Sequence, residues 1–157
     1  MEYNAHIWAS APQSALGYLD KVQNRAIRLI NDPSVTSTLA PLSHRRTVWS
    51  LTLFYRYLVG TNTCSKEIKL LMPPFKVFQR ETRMASDAHP YIVEIPRWRN
   101  SAYGNDAQIM RTARIWNHIP PNVFPKVGYS YIYDKIKFKK NINIFLLNTP
   151  QNFSSIH

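Results

Sequence analysis

Residues 43–60, SHRRTVWSLTLFYRYLVG, decide the fold class. Val48, Leu51, Tyr55 and Leu58 recur at intervals of three and four, which puts them on one face of a helix and commits that face to a core. Ser43 is the expected N-cap, because its hydroxyl can accept from an orphan N–H of the first turn. Gly60 is the expected stop, because glycine ends a helix without a side-chain penalty.

Upstream, Ser14 to Ile30 predicts a second helix, with Leu19, Val22, Ala26, Leu29 and Ile30 as its buried face and Pro33 as its end. Lys21, Arg25 and Arg28 stand at i, i+4 and i+7, a basic stripe expected to point away from the core. Downstream, a short helical turn is expected after Ser65, before Pro73-Pro74. From Phe75 to Asn100 the helical period disappears. Pro90 and Pro96 there bracket Tyr91 to Ile95, whose alternation predicts one short strand in an extended loop.

Helix resumes from about Asn105 to His118, with Ile109, Ala113 and Trp116 on one face and Asn117 capping the end before Pro120-Pro121. A last helix or helix pair is expected over Tyr131 to Leu147, and Thr149 to His157 read as a frayed tail. The result is a mainly α chain. It is one small irregular helical domain over residues 1–148, with a long proline-containing loop and at most one short strand or hairpin.

Composition agrees with one core: 157 residues are 45% hydrophobic, with four Trp, nine Tyr and seven Phe. Twenty Lys and Arg against nine Asp and Glu leave a net charge of +11, which favours a polyanion, either nucleic acid or an anionic membrane surface. The excess is concentrated. Residues 43–60 carry Arg45, Arg46 and Arg56 with no acid, and residues 126–140 carry five lysines against Asp134.

Several function classes are disfavoured. A lone cysteine, Cys64, cannot form an intrachain disulfide and suits a reducing compartment. Neither a signal-peptide pattern nor an apolar run of spanning length occurs, so an intracellular, nuclear or cytoplasmic protein with no membrane partner is expected. The acids are scattered, the closest pair in sequence being Glu81 and Asp87. No Cys/His spacing suits zinc, and no glycine loop suits phosphate. Metal, cofactor and catalytic residue are all expected to be absent. A thiolate at Cys64 paired with His89 or His118 is the one enzymatic alternative, against the reading of a small buried thiol.

The basic constellations carry more. His44, Arg45 and Arg46 sit in the first turn of their helix, where cations oppose the helix dipole. Two guanidinium forks beside free N–H groups make a phosphate site. The alternative is a solvated turn, or arginine stems packed on nearby rings. Lys135, Lys137, Lys139 and Lys140 interleave with Tyr131, Tyr133 and Phe138, combining charge with rings able to stack on bases; Ile136, Phe138, Ile142 and Phe145 serve equally as core. Arg97 and Arg99 flank Trp98 in a loop suited to cation–π contact with a strand. The Lys21, Arg25 and Arg28 stripe either extends this footprint or is the wet face of its helix.

Ordered strings tie these features together. Residues 19–28 (LDKVQNRAIR) are followed by Pro41-Leu42-Ser43-His44-Arg45-Arg46 and Leu53-Phe54-Tyr55-Arg56-Tyr57, then by Thr82-Arg83, His89-Pro90 and Pro96-Arg97. Residues 113–120 (ARIWNHIP) and Val123-Phe124-Pro125 complete the series. Over roughly residues 16–147 the chain resembles the segment following the polymerase domain in reverse transcriptases of arthropod, jockey-like non-LTR retrotransposons. It departs at Ile119, where leucine is commoner, and in lacking a phenylalanine before Ala113.

The resemblance implies a parent RNA-directed DNA polymerase, commonly with an endonuclease, and places this chain after both. The family's adjacent catalytic aspartates have no counterpart in these residues. The expected role is accessory: a non-catalytic basic module holding the backbone of template RNA or target DNA without sequence preference. The alternative is a structural or interaction module whose aromatic face packs against the polymerase portion or against itself.

Overall fold

The computed structural model describes residues 11–60, 72–77, 88–95 and 108–149. Within them the chain is mainly helical. The order is α1 (Gln13–Ile30), the one-turn α2 (Pro33–Thr36), α3 (Leu42–Val59), α4 (Gln108–Asn117), a 3-10 turn (Pro121–Val123), β1 (Lys126–Val127), β2 (Ser130–Tyr131) and α5 (Lys135–Asn148). The turn expected after Ser65, residues 105–107 of the expected third helix and residues 150–157 of the expected tail lie outside the described residues. No described helix is long and apolar enough to cross a membrane.

α3 is the axis, packing on α5, α4 and α1. Its expected face holds: Val48, Leu51 and Tyr55 are buried, with Phe54 beside them and Leu58 packed at the edge. They meet Ala113 and Trp116 of α4 and Phe138, Ile142 and Leu146 of α5, the last three spaced at four-residue intervals. Rings fill the centre, with Tyr55 stacked on Phe138 at 4.2 Å and Trp116 in contact with Phe54 at 5.1 Å and Phe124 at 5.2 Å. Burial of each such side chain stabilises by about 1.5–3 kcal/mol.

The start of α3 differs from expectation. Helix begins at Leu42, one residue before Ser43, because Pro41 already has a helix-compatible φ and its carbonyl accepts from the Arg45 N–H at 3.1 Å. Ser43 is exposed and does not cap. Gly60 does stop the helix, donating its N–H to Arg56 at 3.1 Å, but with an extended rather than left-handed backbone.

The Tyr91 to Ile95 segment is not a regular strand. It forms one isolated antiparallel bridge, Phe75 to Val93, supported by Lys76 N–H to the Ile92 carbonyl and Glu94 N–H to the Pro74 carbonyl, each 2.8 Å. α4 supplies the second edge. The Asn117 amide accepts from the Val93 N–H at 3.0 Å and donates to the Val93 carbonyl at 2.9 Å, as a neighbouring strand would, so it clamps the loop instead of capping its helix. Trp116 Nε1 donates to the Tyr91 carbonyl at 2.7 Å.

The hairpin lies elsewhere, with Lys126 opposite Tyr131 and Val127 opposite Ser130. Its two-residue turn has positive φ at Gly128 and not at Tyr129, the pattern that puts glycine first in a type II′ turn. Tyr131 therefore belongs to β2. α5 starts later than expected, where Asp134 accepts from the Lys137 N–H at 2.9 Å as its N-cap.

α1 is docked by a different face from the expected one. Tyr18, Val22, Leu29 and Ile30 are 67%, 49%, 77% and 53% exposed, Ala26 is exposed, and Leu19 is half-buried. Leu16 and Gln23 are buried instead. The reason is a polar latch. Asp20 pairs with Arg46, and Gln23 accepts from Arg45 Nη2 at 3.0 Å and donates to the Ala40 carbonyl at 3.4 Å. Satisfied polar groups thus turn the 16/20/23/27 line inward, and the apolar arc stays outside.

Candidate nucleic-acid interface

α3 and α5 cross so that a groove of about 690 Å³ opens between them. Its α3 wall repeats at helical spacing: Arg45, then Val48 and Trp49, then Thr52, Leu53 and Arg56. Its α5 wall is Lys135, Ile136, Lys139, Lys140 and Asn143. Among the described residues, five of these eleven are cations and none is a carboxylate, so the formal charge of this lining is positive. The three lysines also lie in the first two turns of α5, where the helix dipole adds to the same sign.

The walls are held in place from within. His44 Nε2 and Asn143 Oδ1 meet at 2.7 Å, joining α3 to α5 beneath the groove. The Tyr55 hydroxyl donates to the Ile132 carbonyl at 3.0 Å and accepts from the Asp134 N–H at 3.2 Å, which fixes the start of α5. Burial pushes the Tyr55 phenol up to about 12, so it keeps its proton and its donor role at any physiological pH. Tyr55→Phe keeps the packing but leaves that carbonyl and N–H without the hydroxyl. We expect a loss of about 1–3 kcal/mol in denaturant unfolding, with faster amide exchange at the start of α5.

Of the residues singled out from sequence, the structure brings together Arg45, Lys135, Lys139 and Lys140. Lys137 is exposed but does not line the groove. His44 and Arg46 are 4% and 6% exposed, and neither forms a surface phosphate site. Arg46 pairs with Asp20 and donates from Nε to the Leu42 carbonyl at 3.2 Å, so the cation is compensated by a carboxylate on α1. Lys21, Arg25 and Arg28 are exposed on α1 and do not line the groove, with the Lys21 ammonium 5.1 Å from the Tyr18 ring centroid. Arg97, Trp98, Arg99 and Cys64 lie outside the described residues.

The expected stacking rings do not line the groove. Phe138 is fully buried, Tyr131 is half-buried under Lys126, and Tyr133, though 39% exposed, stacks on Tyr55 at 5.3 Å. The ring that reaches the groove is Trp49, 39% exposed, with the Lys139 ammonium 5.6 Å from its centroid. Trp49 and Arg56 are the groove residues that sequence reasoning missed. Their signal was their register, four and eleven residues after Arg45 on one helix.

His89 is inside the core. Its Nε2 donates to the Trp116 carbonyl at 3.0 Å and its Nδ1 accepts from the Tyr91 N–H at 3.2 Å, a tautomer dictated by the two partners. Among the described residues, no three His, Cys, Asp or Glu side chains gather as metal ligands. Comparison with family models, with curated proteins and with solved structures finds no match for this chain.

Proposed function

We propose that this chain is a non-catalytic, basic nucleic-acid-binding module. In this reading it corresponds to the post-polymerase segment of a jockey-like non-LTR retrotransposon reverse transcriptase and holds RNA or DNA backbone in the α3/α5 groove. The observation that supports this is the sign of the groove: among the described residues, five cations line it without one acidic residue. A groove of that sign collects phosphates by releasing their counterions.

The test is a mobility-shift titration with single-stranded RNA over a range of salt. With the three groove lysines each neutralising a phosphate, log K is expected to fall with log salt at a slope of at least roughly −2. Changing Lys135, Lys139 and Lys140 to Gln together should flatten the slope by roughly 2 and weaken binding about a hundredfold near 0.1 M salt. Lys137→Gln should do little. No retention of RNA at micromolar protein would sink the proposal.

The exposed arc of α1, with Tyr18, Val22 and Leu29 uncovered, favours a second reading as an interaction module. Its apolar surface is α1 and not the aromatic cluster, which is buried. Light scattering separates the two: a salt-insensitive assembly that ignores RNA supports the second reading.

A further inference from the structure

We propose that the α3/α5 groove is a single-strand site in which an unpaired base stacks on Trp49 while neighbouring phosphates meet Lys135, Lys139 and Lys140. This rests on the nucleic-acid reading and adds the form of nucleic acid and the residue that selects it.

Trp49 differs from the core rings of α3. Phe54 and Tyr55 are 4% and 0% exposed, facing Trp116, Phe124 and Phe138, whereas Trp49 turns away from that cluster and keeps 39% of its surface open. Its place on the helix explains this: Val48 and Leu51 take the core positions on either side, and residue 49 falls one step round towards α5. An open indole among cations is an unusual place for a large apolar surface, since its burial would stabilise the fold if a partner ring were present.

Lys139 reaches over that ring from α5. Its ammonium lies 5.6 Å from the centroid, close to the outer limit of a cation–π contact. Such a contact, on a flexible four-carbon stem, exchanges readily for a phosphate oxygen. A base arriving on the indole therefore displaces a weak contact, and the displaced ammonium is already beside the strand it must neutralise.

The size and lining of the groove select the form of the ligand. At about 690 Å³ it lies in the range of pockets that enclose a small molecule, so it admits a base with its sugar but not a stacked base pair. In a duplex both faces of each base are covered by neighbours, so only phosphates would reach the lysines. The two neutral polar residues of the lining are already engaged, Thr52 Oγ1 donating to the Val48 carbonyl at 2.7 Å and Asn143 Oδ1 meeting His44 at 2.7 Å. Val48, Leu53 and Ile136 complete an apolar lining, which tolerates any base, because every base offers a π face.

The test uses the full chain and fluorescein-labelled dodecamers: U12 RNA, A12 RNA and a mixed-sequence duplex of equal length. Each is titrated by anisotropy against the wild type, Trp49→Ala, Trp49→Phe and Lys139→Gln. Trp49→Ala is expected to weaken both single strands about ten- to hundredfold and the duplex by less than about threefold, with the salt slope unchanged. Trp49→Phe should recover most of the loss, and Lys139→Gln should lower the slope on every ligand. Circular dichroism melts confirm that the variants remain folded.

If Trp49→Ala binds single strands as the wild type does, or weakens duplex and single strands alike, the stacking proposal is overturned. A lysine effect that survives would then leave nucleic-acid binding standing. If the wild type retains none of the three ligands, both proposals fail together.

Discussion

Replacing Trp116 with alanine is expected to cost roughly 3–5 kcal/mol, the range found when a large ring is deleted from a closed core. Trp116 has no exposed surface and sits among rings on every side: Phe54 at 5.1 Å, Phe124 at 5.2 Å, His89 at 5.5 Å and Phe138 at 5.9 Å. Rings of that size cannot collapse into the space without leaving their own contacts, so a cavity persists. The substitution also removes the indole N–H from the Tyr91 carbonyl, 2.7 Å away, and so loosens the loop from α4. Domains of this size are stable by about 5–15 kcal/mol, so the variant retains a marginal fold. Urea unfolding should show a midpoint lowered by about 2 M, and Trp116→Phe should recover most of it. A shift below about 0.5 M would mean that the ring cluster is not the centre of stability.

Acid should weaken the fold through His89. Burial holds its imidazolium form down to a pKa of about 4, against an ordinary 6.5, although the Trp116 carbonyl works in the opposite sense. Both folded and unfolded chains carry a neutral imidazole above about pH 7, so the residue imposes no pH slope there. Below about 6.5 the unfolded chain binds a proton that the folded chain refuses. Stability then falls with pH until the folded pKa is reached, by roughly 3 kcal/mol in all, and levels off below about pH 4. Protonation also turns Nδ1 from acceptor to donor, against the Tyr91 N–H. Unfolding free energies measured from pH 7 to 4.5 should fall more steeply for wild type than for His89→Gln, which starts less stable but has no imidazole to titrate. Parallel profiles for the two would show that His89 is not held neutral by the fold.

What the sequence made legible was decided locally. α3 announces itself through Val48, Leu51 and Tyr55, and α4 through Ala113 and Trp116, because burial of one face is written into the spacing of that face. The hairpin also left a local trace, glycine at the first position of the Gly128-Tyr129 turn. The side of α1 that docks was not legible. Its apolar period marks one arc, but Asp20 and Gln23 find their partners on α3, and nothing within residues 13–30 encodes that Arg46 and Arg45 wait there.

The same cause separates exposed from buried cations near the groove. Lys135, Lys139 and Lys140 stand on an outer helix, and their exposure follows from their type. His44 and Arg46 look alike from sequence, yet neighbours close over both: α5 brings Asn143 to one and α1 brings Asp20 to the other. Two of the quoted strings gain a physical content here. His89 bonds to the Trp116 carbonyl and Asn117 bonds to the backbone of Val93, and together they lock one loop to one helix.

The bond between His44 and Asn143 spans 99 positions of the chain. A ribosome that has finished α3 has made only half of the cleft, and the wall that faces Arg45 and Trp49 must wait until α5 emerges. Closing so distant a contact is slow, because the intervening chain must first surrender its freedom. The groove therefore forms only once α5 has docked, and a polypeptide ended before Lys135 would carry the arginines of α3 without the lysines that face them.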